Sequence, residues 1–439
     1  MKRTNEFEIK PQTDSQRAAL LDLLDASAAL WNEITYNRRQ ALFNGEYVFH
    51  ATNPSDRYKD VLSSSTAQQI PRKNRRAWDS FLTLNEKYNA GVIDEKPHPP
   101  GYWGNEDDGR ELCTYIRNDQ YTLQWGERSR LEIPIGDVLE DRHDVTSRIR
   151  LEVAGEPKWE GEQGQLEIVY DEVSDTFRAI QPVTVPDSQQ DSPLAEQSAA
   201  LDVGANNLVA CTTTTGQQFL YEGRELFGRF RETTERIAHL RSLLDDQPRT
   251  SNQIERLYQQ RTDRRNHAQD GLLRDLIERL YEMGVATVYV GDLSDVLDTH
   301  WSVEVNEKTH NFWAFRRFIN RMGHVCEEYG IEVIEQSEAF TTQTCPECGN
   351  SEETHRDGDS FRCDECGFSG HADLKASRVF LERETGSTVG SMARPVRLKW
   401  DSHEWLELSH SHESLNEART DRSTNRRVGK LAAVDSGAA

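Results

Sequence analysis

Four cysteines and three aspartates carry the residue types with which this sequence can do chemistry. Cys345 and Cys348 form one Cys-x-x-Cys pair and Cys363 and Cys366 a second, fourteen residues apart, and each pair ends on a glycine, Gly349 or Gly367. Two thiolates on each of two tight knuckles make a set that suits tetrahedral Zn²⁺. Four protein ligands leave no open position for a substrate, so zinc here is expected to be structural. The stretch runs straight on into His371-Ala372-Asp373, where a carboxylate opens a helical pattern. Asp202 stands inside the apolar run 201–203, and Asp292 follows Gly291 in the strand-like run 286–296. A carboxylate in such a run is costly unless something pairs with it. Converging carboxylates are hard oxygen donors of the kind Mg²⁺ takes. Two such ions about 3.5–4 Å apart hydrolyse a phosphodiester, one activating water and one steadying the leaving oxygen. Singly, each Asp is commonly a helix cap or an ion-pair partner. The inference therefore rests on the order of the elements that carry them.

The chain has 439 residues, enough for two or three domains with cores of their own. It holds no run of eighteen apolar residues, so no membrane partner is expected. The start, MKRTNEFEIKPQ, lacks the apolar segment of a secretory signal. Cys113, Cys211 and Cys326 are scattered, which fits a reducing cytoplasm without a disulfide framework. The formal net charge is −23, and only 11 of the 52 basic residues are Lys. That balance is similar to proteins of salt-loving archaea, where an acidic surface keeps a chain soluble in molar salt. Screening there cuts the reach of charge to about 3 Å. Acidity thus does not exclude a nucleic-acid partner, but phosphate contacts alone would hold it weakly, because that affinity falls steeply with salt.

The elements that must position these residues read as follows. A strand over 4–10 precedes a helix capped by Asp14 or Ser15, with Leu20, Leu24, Trp31 and Ile34 on its apolar side. A second helix over 65–88 carries the densest basic cluster, Arg72, Lys73, Arg75 and Arg76, expected to face phosphate. After the Pro/Gly-rich loop 96–109, short strands at 114–125, 129–135, 147–153, 164–171 and 177–185 suggest a small barrel. The first domain is thus expected over 1–185, a β-barrel with helices inserted at about 14–95, followed by a polar linker at 186–199. Residues 200–385 then run strand, strand, two Arg-studded helices (223–245 and 250–283), strand, helix, strand, ribbon and helix. With acids at those points, this is the layout of an RNase H-like nuclease fold, the ribbon inserted at 341–370. Residues 386–439 lose periodicity and are expected to be a largely disordered tail, with 394–400 a possible anchor. The fold class is mixed α/β and β, in several domains.

LDVGANNLVA, VYVGDL, the TTQTCPECG…CDECGFSGHADLKAS stretch and the Arg-rich helices resemble the TnpB family of insertion-sequence proteins, relatives of type V CRISPR nucleases. The likeness covers residues from about 3 to 385, most closely 200–377. It implies a wedge barrel with recognition helices, a RuvC-type Mg²⁺ site of Asp202, Asp292 and Asp373, a guide RNA from the element's end, and target double-stranded DNA with a short adjacent motif. A TnpA-like transposase is a further partner that the resemblance suggests. The match is uneven. Where the family usually carries Asp and Asn, this chain has His371 and Lys375, and its second-motif Glu is replaced by Gly291-Asp292. Asp292 takes over only if a bulge at Gly291 turns it inward. The expected function is an RNA-guided DNA endonuclease. The alternative is an RNA-guided DNA binder with weakened or absent nuclease activity that regulates transposition or transcription.

Overall fold

The computed structural model describes residues 1–50, 52–103, 112–186, 195–204, 206–244, 250–292, 312–337 and 341–408. The chain divides into two compact units, Met1–Asp187 and Ser188–Ala439. Residues 187–194 of the expected linker, 293–311 and 409–439 lie outside the described residues.

In the first unit β1 (Lys2–Lys10) leads into α1 (Asp14–Phe43), followed by the single turn α2 (Lys59–Leu62) and α3 (Ser64–Asn89). The cap of α1 is Thr13, one residue before those expected, whose side chain accepts from the N–H of Gln16. The remaining elements are β2 (Leu112–Ile116), β3 (Thr122–Gln124), β4 (Arg130–Pro134), α4 (Asp137–His143), β5 (Arg148–Ala154), β6 (Glu162–Gln163), β7 (Leu166–Asp171) and β8 (Thr176–Thr184). The strands pair antiparallel in the order β2-β7-β8-β1-β5-β4-β3, with β6 also on β8. Among the described residues this ladder is an open path, not the closed ring of the barrel expected. Strict alternation in β1 and β8 buries every second residue. The buried face shares one core with the helices, where Leu20, Leu24, Trp31 and Ile34 of α1 and Ile70 of α3 meet Ile133, Leu151 and Ile168.

The second unit is built on a seven-stranded sheet. Its strands are β9 (Gln197–Val203), β10 (Asn207–Thr213), β11 (Gln218–Glu222), β12 (Val285–Gly291) and β13 (Glu332–Gln336), extended by β17 (Val396–Trp400) and β18 (Trp405–Glu407). The order is β13-β12-β9-β10-β11-β17-β18. β9, β10 and β11 pair antiparallel, while β12 runs parallel to β9 and β13 parallel to β12. Helices α5 (Arg224–Ser242) and α6 (Asn252–Glu282) follow β11, α7 (Phe315–Glu328) precedes β13, and α8 (Ala372–Thr385) follows the ribbon. On one sheet face Leu201, Val288 and Val290 pack with Leu272 and Leu276 of α6 and Phe318 and Met322 of α7. On the other, Ala200 and Tyr289 meet Phe380 and Leu381 of α8.

One expectation is corrected here. Residues 405–407, read from sequence as disordered tail, and 396–400, read as an anchor within it, are both strands of this sheet, β17 pairing parallel with β11 and antiparallel with β18. Trp400 and Trp405 are buried in the main core. Low periodicity concealed them because a strand of five residues near the sheet edge needs only two inward side chains, in β17 Leu398 and Trp400.

Candidate functional site

The ribbon is a three-stranded antiparallel sheet of β14 (Thr354–Asp357), β15 (Ser360–Cys363) and β16 (Ser369–His371). Its two knuckles are built alike. The N–H of Gly349 donates to the carbonyl of Cys345 at 2.9 Å, and that of Gly367 to the carbonyl of Cys363 at 3.0 Å. Both glycines sit at positive φ, +74° and +75°, which is why each Cys-x-x-Cys ends on the residue without a Cβ. All four Sγ atoms lie within 4.8 Å of one another. Cys345–Cys366 and Cys348–Cys363 approach to 3.6 and 3.7 Å. A zinc–sulfur bond of about 2.3 Å implies a tetrahedral edge of about 3.8 Å, so the residues fit Zn²⁺. Apart from the cysteines, the buried core of the ribbon is Phe361 and Ala372, with Phe368 packed beside them.

β16 ends at His371 and α8 begins at Ala372, so the ribbon sets the position of Asp373 in the first turn of α8. Asp373 is buried, and both of its oxygens are engaged. Asn207 Nδ2 donates to Oδ2 at 2.8 Å, and Arg356 Nη2 of β14 donates to Oδ1 at 2.7 Å. Asp202 alternates with Ala200, so it shares the sheet face covered by α8. Beside both acids stands Lys375, only 3% exposed, whose ammonium donates to the carbonyls of Thr341, Thr342 and Thr344 at 2.9, 2.7 and 3.2 Å. It also rests 4.0 Å over the ring of Phe361. Burial foremost, then Arg356, pulls the Lys375 pKa down to about 8, while Asp202, Cys345 and Asp373 pull it up. Burial likewise lowers the pKa of His371 against the opposing pull of Asp373 and Asp359.

At the second motif, β12 keeps its register. Val290 pairs with Glu335 and Gly291 with Gln336, and the N–H of Asp292 continues the ladder to the carbonyl of Gln336 at 2.8 Å. The paired part of the strand therefore contains no bulge at Gly291. Gly291 falls in the same alternation as Tyr289, on the face of Asp202 and α8, and Asp292 follows it as an exposed residue. Among the described residues, the four cysteines are the one group of three or more His, Cys, Asp or Glu side chains whose ligand atoms lie within 4.8 Å of each other. The structure thus brings Asp202 and Asp373 to one face and one end of the sheet, with the end of β12 alongside.

For Mg²⁺ the donor chemistry fits. Asp202 and Asp373 offer hard oxygens, and the side-chain guanidinium of Arg356 holds one Asp373 oxygen that a metal ion would take. Asn207, Arg356 and the internal role of Lys375 escaped the sequence reading. Asn207 lies within LDVGANNLVA, but the partnership of β10 with α8 spans 166 residues and no local pattern signals it.

The basic cluster on α3 is divided. Arg72, Arg75 and Arg76 are exposed, while Lys73 turns inward to lie 4.6 Å from the ring centre of Tyr115. Arg75 and Arg38 flank Phe49 at 4.7 and 5.0 Å. Burial foremost, with the neighbouring Arg75, lowers the pKa of Arg38 to about 10.

Residues 180–297 match the family OrfB_IS605, described as "Probable transposase", and residues 315–380 match the Cas12f1-like TNB domain. TnpB-like protein ORF457 of Acidianus two-tailed virus is 28% identical over 435 residues, covering 90% of this chain and 89% of that one. A putative transposase of Methanocaldococcus jannaschii is 31% identical over 85 residues, which is 18% of this chain and 77% of that protein.

The chain belongs to the TnpB family. Among solved structures, a Cas12f1–guide RNA–target DNA complex shares the fold, with a TM-score of 0.56 at 13% identity over 83% of this chain and 82% of that one. The two family matches span β9 to β13 of the TnpB sheet, the ribbon and the first nine residues of α8, and leave β17 and β18 outside. Among the described residues, no helix is long and apolar enough to cross a membrane.

Proposed function

We propose that this TnpB-family protein is an RNA-guided DNA endonuclease of a transposable element, acting in the cytoplasm on double-stranded DNA with a guide RNA from the element's end. The observation that carries the reading is the seating of α8 on β9 and β10, which brings Asp373 and Asp202 to one end of an RNase H-like sheet. Base pairing reads the target in such a scheme, and the protein reads a short motif and duplex shape. Recognition by base pairing also suits a chain of net charge −23, since it relies less on phosphate contacts.

Asp202 and Asp373 would hold Mg²⁺, with Asp292 the third acid of the set. Bound there, the ions supply an activated water and a counter-charge for the leaving oxygen. Asn207 fixes the orientation of the Asp373 carboxylate, and the ribbon fixes the start of α8. Arg356 balances the charge of Asp373 in the arrangement seen.

A second reading, the guided binder with a weakened nuclease, is favoured by one specific observation: the regular ladder of β12 puts Gly291 where an inward acid would serve. One assay separates the two. Protein purified with its own RNA is given target DNA and Mg²⁺ in high salt, as wild type, Asp202→Ala, Asp292→Ala and Gly291→Glu. Cutting by wild type that Asp202→Ala and Asp292→Ala each lower by a hundredfold or more supports the endonuclease. Target binding without cutting, with cutting gained in Gly291→Glu, supports the binder. If no RNA co-purifies and no target is bound, both readings are lost.

A further inference from the structure

On the sheet face opposite Asp373, the second unit has a partly open cavity of about 330 Å³ between α5, α6 and the end of β17. Its chemistry is out of keeping with the chain. The sequence holds 75 acidic and 52 basic residues, yet none of the described residues lining this cavity is Asp or Glu, and four are Arg. Arg261, Arg264 and Arg265 come from α6 and Arg229 from α5, with His267 beside them.

The placement of these arginines is specific. Positions 261, 264, 265 and 268 form one helical face, the face that further along α6 carries buried Leu272 and Leu276. Arg261 and Arg265 are half-buried on that stripe and Arg264 stands exposed at its edge, so guanidinium groups occupy a helical face that is apolar further along. Their forks are also held in place. Arg229 donates to Glu225 and to Ser402 Oγ, each at 2.8 Å, and Arg261 donates to Thr234 Oγ1 at 2.7 Å. Burial foremost, followed by Arg317 and Arg261, lowers the pKa of Arg265.

Aromatic faces complete the wall. Phe230, Phe312 and Trp400 line the cavity, and the Arg261 guanidinium lies 4.5 Å from the ring centre of Phe230. Guanidinium forks match phosphate oxygens bidentately, and aromatic faces stack on bases of any sequence. The volume stands near the lower end of the roughly 300–1,000 Å³ common for ligand sites, room for one nucleotide but not for a base pair.

We propose that this cavity is a nucleotide-binding site, taking a single nucleotide with its phosphate on Arg261, Arg264 and Arg265 and its base against the aromatic wall. The site is separate from the carboxylates but close in the fold. Leu208 on its rim is next in sequence to Asn207, whose side chain holds Asp373 on the other face of the sheet. The ligand has two conceivable sources, a nucleotide of a bound strand or a free nucleotide. The proposal does not depend on whether the carboxylates cut.

The test is calorimetric titration of the full-length, zinc-loaded protein with adenosine 5′-monophosphate, adenosine, inorganic phosphate and a single-stranded pentanucleotide. One monophosphate per chain is expected to bind, with adenosine and phosphate each weaker by at least tenfold. Arg264→Glu, at an exposed position, and Arg261→Gln should each weaken the monophosphate by about tenfold or more, while melting without ligand stays close to wild type. Pentanucleotide binding with the same arginine dependence assigns the site to a strand, and binding of the monophosphate alone assigns it to a free nucleotide. Absence of monophosphate binding at millimolar concentration overturns the proposal. So does equal binding of inorganic phosphate, or indifference to Arg264→Glu. Because the titration omits guide RNA, target and Mg²⁺, its failure is distinct from failure of the cleavage assay.

Discussion

Arg356 of the ribbon hairpin holds the carboxylate of Asp373 at 2.7 Å, across 17 residues of sequence and between β14 and the first turn of α8. One Asp373 oxygen is thereby shared between a protein cation and any metal ion that comes to the site. Arg356 is 43% exposed, so its hold is that of a solvent-screened pair and a divalent ion should displace it. Arg356→Ala is expected to tighten Mn²⁺ binding by about three- to tenfold, read by the loss of free Mn²⁺ signal in electron paramagnetic resonance. Unchanged or weaker binding would show that the guanidinium does not compete for the carboxylate.

Zinc should be inseparable from the ribbon. Besides two of the cysteines, its buried core is Phe361 and Ala372, too little apolar surface to hold three short strands. Structural zinc sites contribute on the order of 10 kcal/mol. Cys363→Ser should drop bound zinc from one ion per chain to none and strip amide-exchange protection from 354–371 while β9 and β12 stay protected. Retained protection in that variant would refute a zinc-dependent ribbon.

Lys375 works as an internal tie, its ammonium on three carbonyls of the segment that enters the ribbon. Lys375→Met leaves those carbonyls without this donor and should cost about 2–3 kcal/mol in chemical denaturation. The pH dependence has a definite sign. With the folded pKa at about 8 and the unfolded one at about 10.4, the folded chain binds fewer protons between these values. This group therefore adds stability as pH rises through the window and loses it as pH falls through 8. Wild type should show that rise and Lys375→Met should lack it.

The strands beyond α8 belong to the core. Ending the chain after residue 390 removes β17 and β18 and leaves the cavity of Trp400 and Trp405 in the main cluster. Loss of one large buried aromatic costs about 3–5 kcal/mol, so the shortened protein should melt far below a chain ended after residue 408. Equal melting temperatures would mean that the added strands contribute nothing.

Much of this protein was legible in its sequence, because the relevant signals are local. A Cys-x-x-Cys knuckle closed by glycine is a five-residue device, and two of them read correctly as a ribbon with a four-thiol cluster. The 3.6-residue spacing of Leu20, Leu24, Trp31 and Ile34 gave α1 its buried face, and alternation gave β1 and β8 theirs. The sequence also determined that Asp202 and Asp373 would stand at the ends of elements. Only the tertiary structure decided what those acids touch. Asn207 reaches Asp373 from β10, Arg356 reaches it from the ribbon, and Lys375 turns inward to backbone carbonyls. Pairings across a fold are set by packing, not by neighbours in the chain. The same holds for β17, whose short apolar pattern acquires meaning only when β11 offers it a free edge. At Gly291 the sequence left two backbone paths open, a bulge or a regular ladder, and pairing with β13 selected the regular one, because each parallel hydrogen bond made through Gln336 fixes which face the next residue takes.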